Sequence, residues 1–285
     1  MEQQPNQPSP ENIMKIGTGF WASKILLTAV DFQLFTTLAE KRTMQAKDIK
    51  EILALKCTDR NVYDFLDALT VFGFLNREGI LDTAVYSNST DTETFLDKNK
   101  PSYIGGILEM MNNRLYGFWG TLGEGLLTGL PQNEAKRSED FFGLIYSDPE
   151  KLKGFTNAMS GIQMGNFTTF AQKFDFTPYK TLIDVGGSAG LLSLMVAKHN
   201  AHLHCTSFDL PPVEPIANAT IQQFGLADRV KAASGDFFTM PIPNADVVVM
   251  GNILHDWNEE KKISLMEKAY AALPANGAFV AIEGI

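Results

Sequence analysis

Between residues 13 and 35 the apolar side chains Phe20, Trp21, Ile25, Leu26, Val30, Leu34 and Phe35 recur at helical spacing, predicting one or two amphipathic helices. Helices are expected again at 34–40, at 46–55 after Thr43, and from a Thr58 cap, where Val62, Phe65, Leu66, Leu69 and Phe72 share a face that Gly73 ends. Residues 74–86 read as two short strands turning at Glu78 and Gly79, which completes a winged helix-turn-helix pattern. Residues 88–100 and 131–137 are polar loops. Helical spacing returns at Ile107, Met110, Met111, Leu115, Phe118, Trp119 and Leu122, and helices are expected at 138–146 and 150–174.

From Lys180 the texture changes to apolar, strand-length runs alternating with helix-length segments. Strands are expected at 181–185, 203–208, 230–234, 245–250 and 278–283, all buried, as in a doubly wound, mostly parallel sheet. The fold class is therefore α/β and Rossmann-like, preceded by an all-α winged-helix domain. The expected organisation is a flexible tail at 1–11, a winged-helix domain at 12–100, a helical linker lining an acceptor pocket at 101–178, and a cofactor-binding domain at 179–285.

Composition narrows the function classes. The chain has 285 residues, 45% of them hydrophobic, enough for packed cores, and a net charge of −9 that would repel a phosphate backbone. The winged helix raises DNA binding, yet Asp59, Arg60, Asp64 and Asp67 make its second helix acidic rather than basic. No nucleic-acid partner is expected. Cys57 and Cys205 are far apart and outside any ligand spacing, so both are expected to be buried small hydrophobes in a reducing cytoplasm. Likewise no unbroken apolar run approaches the roughly 18 residues needed to span a bilayer. His202 and His204 alternate on one strand without a third ligand, so no metal is expected.

The chemistry gathers at the strand ends. Asp184 leads into Gly186, Gly187, Ser188, Ala189 and Gly190, and small residues there let a ligand approach the backbone at the carboxyl edge of the sheet. The spacing fails G-x-G-x-x-G, because Leu191 or Leu192 falls where the last glycine should stand, which disfavours a dinucleotide. Asp209, followed by Leu210, ends the second strand, and a carboxylate there accepts ribose hydroxyls while repelling phosphate. Gly235, Asp236 and Phe237 end the third, the acid suited to an adenine amine and the ring to its face. Together these ends describe an adenosyl pocket, and a phosphate-free nucleoside bearing a sulfonium suits it on charge grounds. His255 follows the fourth strand at the same edge, where an imidazole can take a phenol's proton.

DVGGSAG, FDLPP (208–212), SGDFF (234–238) and NILHDW (252–257) resemble the plant caffeate and hydroxyindole O-methyltransferase family over nearly the whole chain from Ile13. That resemblance implies S-adenosylmethionine as donor, a homodimer formed through the N-terminal domain, and a small aromatic hydroxyl compound as acceptor. It places Gly186 and its neighbours on the methionine part, Asp209 on the ribose, Asp236 and Phe237 on the adenine with Trp257 nearby, and Met159 close to the transferred methyl. It also makes His255 the general base, Glu283 its orienting carboxylate and Asp256 an assistant. Ser188 and Ala189 stand where family members commonly have Gly and Thr, and Gly251 stands where plant members carry a lysine that contacts the cofactor. Phe20, Trp21, Met110, Met111, Phe155 and Met164 are candidates for the acceptor pocket or for core. The family continues past the fifth strand through a helix and a hairpin bearing a second glutamate, so a chain ending at Ile285 reads as truncated. N- or C-methylation, or a non-catalytic regulator that uses the winged helix, remain the alternatives.

Overall fold

The computed structural model describes residues 8–100, 102–133, 136 and 141–284. Most of the expected tail and the start of the helix expected at 138–146 lie outside them. The chain divides into two compact units, Met1–Gly129 and Leu130–Ile285, so the expected 101–178 region is shared between them.

In the first unit α1 (Glu11–Gly17), α2 (Gly19–Asp31) and α3 (Leu34–Lys41) lead through β1 (Met44–Gln45) to α4 (Ala46–Ile52) and α5 (Asp59–Val71). Thr58 caps α5 in a reciprocal pair with Asn61, which satisfies two of the amides a helix start leaves open. Strands β2 (Leu75–Glu78) and β3 (Val85–Asn88) pair antiparallel, β1 adds to β3, and α6 (Thr90–Phe95) follows. Val62, Leu66 and Leu69 of α5 are buried with Leu34, Phe35, Leu38, Ile49 and Tyr86, so the stripe read from spacing is the core face. The acidic face of α5 is tied up in pairs: Asp59 with Lys50, Asp64 with Arg60 and Asp67 with Arg77. Helical spacing between 103 and 129 resolves into α7 (Gly105–Met110), a π-helical turn over Met111–Leu115, α8 (Tyr116–Trp119) and α9 (Leu122–Thr128).

Two expectations about this unit are corrected. Among the described residues the 21-residue stretch Glu11–Asp31, mean hydropathy 1.2, is long and apolar enough by length and composition to cross a membrane. The unbroken-run criterion missed it because Lys15, Gly17, Thr18, Gly19, Ser23 and Lys24 interrupt the apolar residues while the average stays high. Cys57 is exposed, since it lies at the end of the turn between α4 and α5, next to the cap Thr58; only Cys205 is buried.

The second unit opens with α10 (Phe141–Tyr146) and α11 (Pro149–Lys173), the latter started by Asp148 accepting from the Glu150 and Lys151 amides. A five-stranded parallel sheet follows, built from β4 (Thr181–Val185), β5 (His204–Asp209), β6 (Val230–Ser234), β7 (Val247–Gly251) and β8 (Ala278–Ile282) in the order β6-β5-β4-β7-β8. The crossovers carry α12 (Leu191–His199), α13 (Glu214–Phe224) and α14 (Glu259–Ala272).

Side chains alternate across the pleat. Leu182, Val247 and Val249 pack with Leu192, Met195, Phe167 and Ala171 of α12 and α11, whereas Ile183, Val185, Val248 and Met250 pack with Leu265 and Ala269 of α14. Helices thus cover both faces. The three central strands are buried as expected, but the edge strands β6 and β8 are mostly half-buried, because each has a neighbour on one side only. His202 falls before β5 rather than on it, and its Nε2 bonds the Phe176 carbonyl at 3.1 Å.

Candidate active site

The strand order reverses direction from β4, toward β5 on one side and β7 on the other, and a crevice opens beyond the carboxyl ends there. A cavity of about 490 Å³ occupies that edge of the second unit. The ends of β4, β5, β6 and β7 line its floor, and α10 and α11 contribute an apolar wall through Phe142, Tyr146, Phe155 and Met159.

The turn after β4 is shaped by glycine for identifiable reasons. Gly186 has φ of +73°, and a Cβ on it would meet Ile253 Cδ1 at 2.2 Å. A Cβ on Gly187 would lie 2.2 Å from Ser207 Oγ and 2.9 Å from Asp184 Oδ2. The Gly186 amide donates to the Phe208 carbonyl at 2.8 Å, pinning the turn to β5. Gly190, with φ of +80°, starts α12, and its amide donates to the Gly187 carbonyl at 2.8 Å. Gly190 and Gly235 do not line the cavity: the first shapes the turn, and the second lies against the Phe208 ring, 2.5 Å from where a Cβ would stand.

Three aspartates face the cavity from successive strand ends, Asp184, Asp209 and Asp236. Asp209 Oδ2 accepts from the Ser188 amide at 2.8 Å and Oδ1 from the Leu210 amide at 2.7 Å. Burial nonetheless pushes its carboxyl up to about 6, since two amides do not replace water fully. Asp184 is buried, Oδ2 has no hydrogen-bond partner, and burial together with the Asp209 charge pushes its carboxyl up to about 8. Asp236 Oδ1 accepts from the Phe238 amide at 2.8 Å and Oδ2 from Thr239 Oγ1 at 3.1 Å. Beside it Phe238 stands edge-on to Trp257, centroids 4.6 Å apart, and Lys261 Nζ lies 4.8 Å from the Trp257 ring centre. Among the described residues no three His, Cys, Asp or Glu side chains form a metal-ligand group.

His255 sits on a short 3-10 turn, Leu254–Asp256, after β7. Its Nδ1 bonds Glu283 Oε2, while Glu283 Oε1 accepts from the Leu254 amide at 2.9 Å, so one carboxylate at the end of β8 holds both the ring and its turn. A carboxylate only accepts, so Nδ1 donates in the contact with Glu283. Nε2 lies 3.4 Å from Asp256 Oδ1. The His255 side chain is half exposed and is not among the cavity-lining residues, whereas Asp256 and Trp257 are.

The structure thus gathers eleven of the sequence-predicted residues around one cavity: Asp184, Gly186, Gly187, Ser188, Asp209, Leu210, Asp236, Phe237, Trp257, Met159 and Asp256. Of the six apolar candidates for an acceptor pocket, Phe155 lines this cavity, Met164 packs on the core, and Phe20 and Trp21 are exposed on the first unit. Sequence reasoning missed Phe142, Tyr146, Gln163 and Lys261, which reach the cavity from helices whose spacing shows only an apolar face. Tyr146 carries the one hydroxyl of the aromatic wall, and burial with the nearby Asp209 and Asp256 charges keeps it a neutral donor.

The donor set suits S-adenosylmethionine: an unpartnered buried carboxylate oxygen for an ammonium, a carboxylate held by two amides for a diol, and a third beside aromatic rings for a purine. Comparison with known proteins agrees. The family model of the O-methyltransferase domain matches residues 119–285, and that of the O-methyltransferase dimerisation domain matches 14–98. The chain is 36% identical over 269 residues to the tetracenomycin polyketide synthesis 8-O-methyl transferase TcmO of Streptomyces glaucescens, covering 94% of this chain and 77% of that one. It is 31% identical over 274 residues to the N,N-dimethyltransferase OxyT of Streptomyces rimosus, covering 94% and 76%. Among solved structures, human N-acetylserotonin methyltransferase in complex with its donor has the same fold, with a TM-score of 0.87 at 24% identity over 98% of this chain and 81% of that one.

Proposed function

We propose a division of labour within a chain that belongs to the O-methyltransferase family and is an S-adenosylmethionine-dependent O-methyltransferase. When bound, the donor supplies an electrophilic methyl on a sulfonium. Asp184 Oδ2 accepts from its amino group, and Gly186, Gly187 and Ser188 give the methionine part backbone to lie against. Asp209 accepts from the ribose hydroxyls, with Leu210 beside it. Asp236 accepts from the adenine amine between Phe237 and Trp257. Met159, on the opposite wall, borders the methyl.

His255 Nε2 removes the acceptor's hydroxyl proton as the oxygen attacks. Glu283 fixes the tautomer, and Asp256 stabilises the imidazolium that results. Tyr146 donates a hydrogen bond into the cavity. The acceptor is a small, neutral aromatic hydroxyl compound, in keeping with an apolar wall of Phe142, Tyr146, Phe155 and Phe167 opposite a carboxylate-rich floor that would repel an anion. The O-methyl transferase of tetracenomycin polyketide synthesis among its relatives supports a polyketide-type hydroxyl compound. The observation that carries this reading is the doubly anchored Asp209 and the unpartnered Asp184 at one strand edge with the His255–Glu283 pair.

The dimerisation domain supports a homodimer, and Phe20 and Trp21, 53% and 60% exposed within it, supply apolar surface for one. Free Cys57 and Cys205 fit a reducing, cytoplasmic setting. Incubation with isotopically labelled donor and a panel of phenols, hydroxyindoles, amines and keto acids, read by mass spectrometry, tests the assignment. Label on a phenolic oxygen is expected; label confined to amines would overturn the acceptor class.

A further inference from the structure

The turn that presents Asp236 has an electrostatic weakness written into its sequence. After Asp236 the backbone makes one helical turn, with the Thr239 and Met240 amides donating to the Asp236 carbonyl at 3.1 and 2.8 Å. A further turn would bond the Phe237 carbonyl to the amide four residues on, but residue 241 is proline and has none. The chain leaves the helical path there, and the carbonyls of Phe237, Phe238 and Met240 point the negative end of the turn at one spot.

Lys268 fills that spot. It projects from α14, whose neighbouring Leu265 and Ala269 are fully buried against the sheet, so its backbone is firmly placed. Its Nζ donates to the carbonyls of Phe237 at 2.7 Å, Phe238 at 2.5 Å and Met240 at 3.1 Å. An ammonium has three donors, and all three are spent on this turn. We infer that Lys268 is a positioning residue for donor binding: its ammonium replaces the one amide that Pro241 denies the Asp236–Met240 turn, satisfies the two neighbouring carbonyls with it, and so aims the Asp236 carboxylate and Phe237 ring at adenine.

This rests on the assignment of Asp236 to adenine, and the test separates the two. Isothermal calorimetry on the full chain compares S-adenosylhomocysteine with S-inosylhomocysteine, in which a carbonyl replaces the amine that Asp236 is to accept from. Wild type should prefer the adenine ligand. K268M, which keeps the stem and removes the donors, should bind S-adenosylhomocysteine about tenfold more weakly, the loss of charge-assisted hydrogen bonds to the turn, and should lose most of the preference. In turnover the loss should fall on the KM for donor rather than on kcat. K268R, whose planar fork cannot direct three donors at one converging set, should fall between the two. A lower melting temperature with unchanged affinity and preference is the signature of a merely structural lysine and would overturn the proposal. Should K268M not fold, wild-type preference in K268R does the same. Absence of preference in wild type overturns the adenine assignment itself, and this inference with it.

Discussion

The proposed donor edge of the cavity and His255, the proposed base, are built by different means. Asp184 and Asp209 are buried on the two central strand ends, and Asp209 is anchored by amides whose positions the sheet dictates. His255 sits on a three-residue turn, half exposed, held by two carboxylates through side-chain contacts. A ligand's resting shape is best matched by backbone, which does not move, whereas a proton acceptor needs only a fixed tautomer and a lone pair within reach. The contrast says that binding and proton removal should separate on mutation.

The largest effect expected is on turnover. His255→Ala should lower kcat by about 10²- to 10⁴-fold, the usual worth of a positioned general base, with the donor Kd changed less than about twofold. Labelled-methyl turnover and calorimetry check the two halves, and a comparable loss in both would break the comparison. Next, Asp209→Asn should weaken donor binding by about tenfold to a hundredfold, because the amide offers a donor where the ribose hydroxyl needs an acceptor. In wild type the same loss should set in as pH falls below about 6, where Asp209 takes up a proton, and the variant's Kd should be flat over that range.

A third effect concerns stability without ligand. Asp184 holds its proton in the folded chain up to about pH 8 but releases it near 3.8 when unfolded. Its contribution is therefore fully present below about 3.8 and is lost as pH rises through about 8. Asp184→Asn should flatten that decline, by an amount on the order of a few kcal/mol between pH 5 and 9. Chemical denaturation at several pH values measures it, and an equally steep decline in the variant would place the titrating group elsewhere.

What the sequence showed follows the same divide. The strand β4 and the turn after it were legible because a run of apolar residues followed by small ones has few other uses, and Asp209 and Asp236 were legible from their place at strand ends. Thr58 was readable as a cap because its partner Asn61 is local. The aromatic wall was not, since Phe142 and Tyr146 sit on a short helix whose spacing shows an apolar face but not what it faces. Lys268 was hidden for a further reason: its partners are backbone carbonyls about thirty residues away, which leave no mark in side-chain pattern. The edge strands read as buried because composition shows apolar content but not how many neighbours a strand has.

Gly251, at the end of β7, carries a consequence for how this site can change. A Cβ there would meet the Phe167 ring at 3.2 Å and Leu192 Cδ1 at 3.6 Å, so the bare backbone and the phenylalanine on α11 are a matched pair. A side chain at 251 would therefore press on the Phe167 ring unless that ring shifts by a few tenths of an ångström. A smaller residue at 167 would relieve that crowding but would itself leave a void in the cavity wall. The two positions are therefore expected to be coupled, and a search for variants with altered acceptor range is better served by libraries that randomise 167 and 251 together than by either alone.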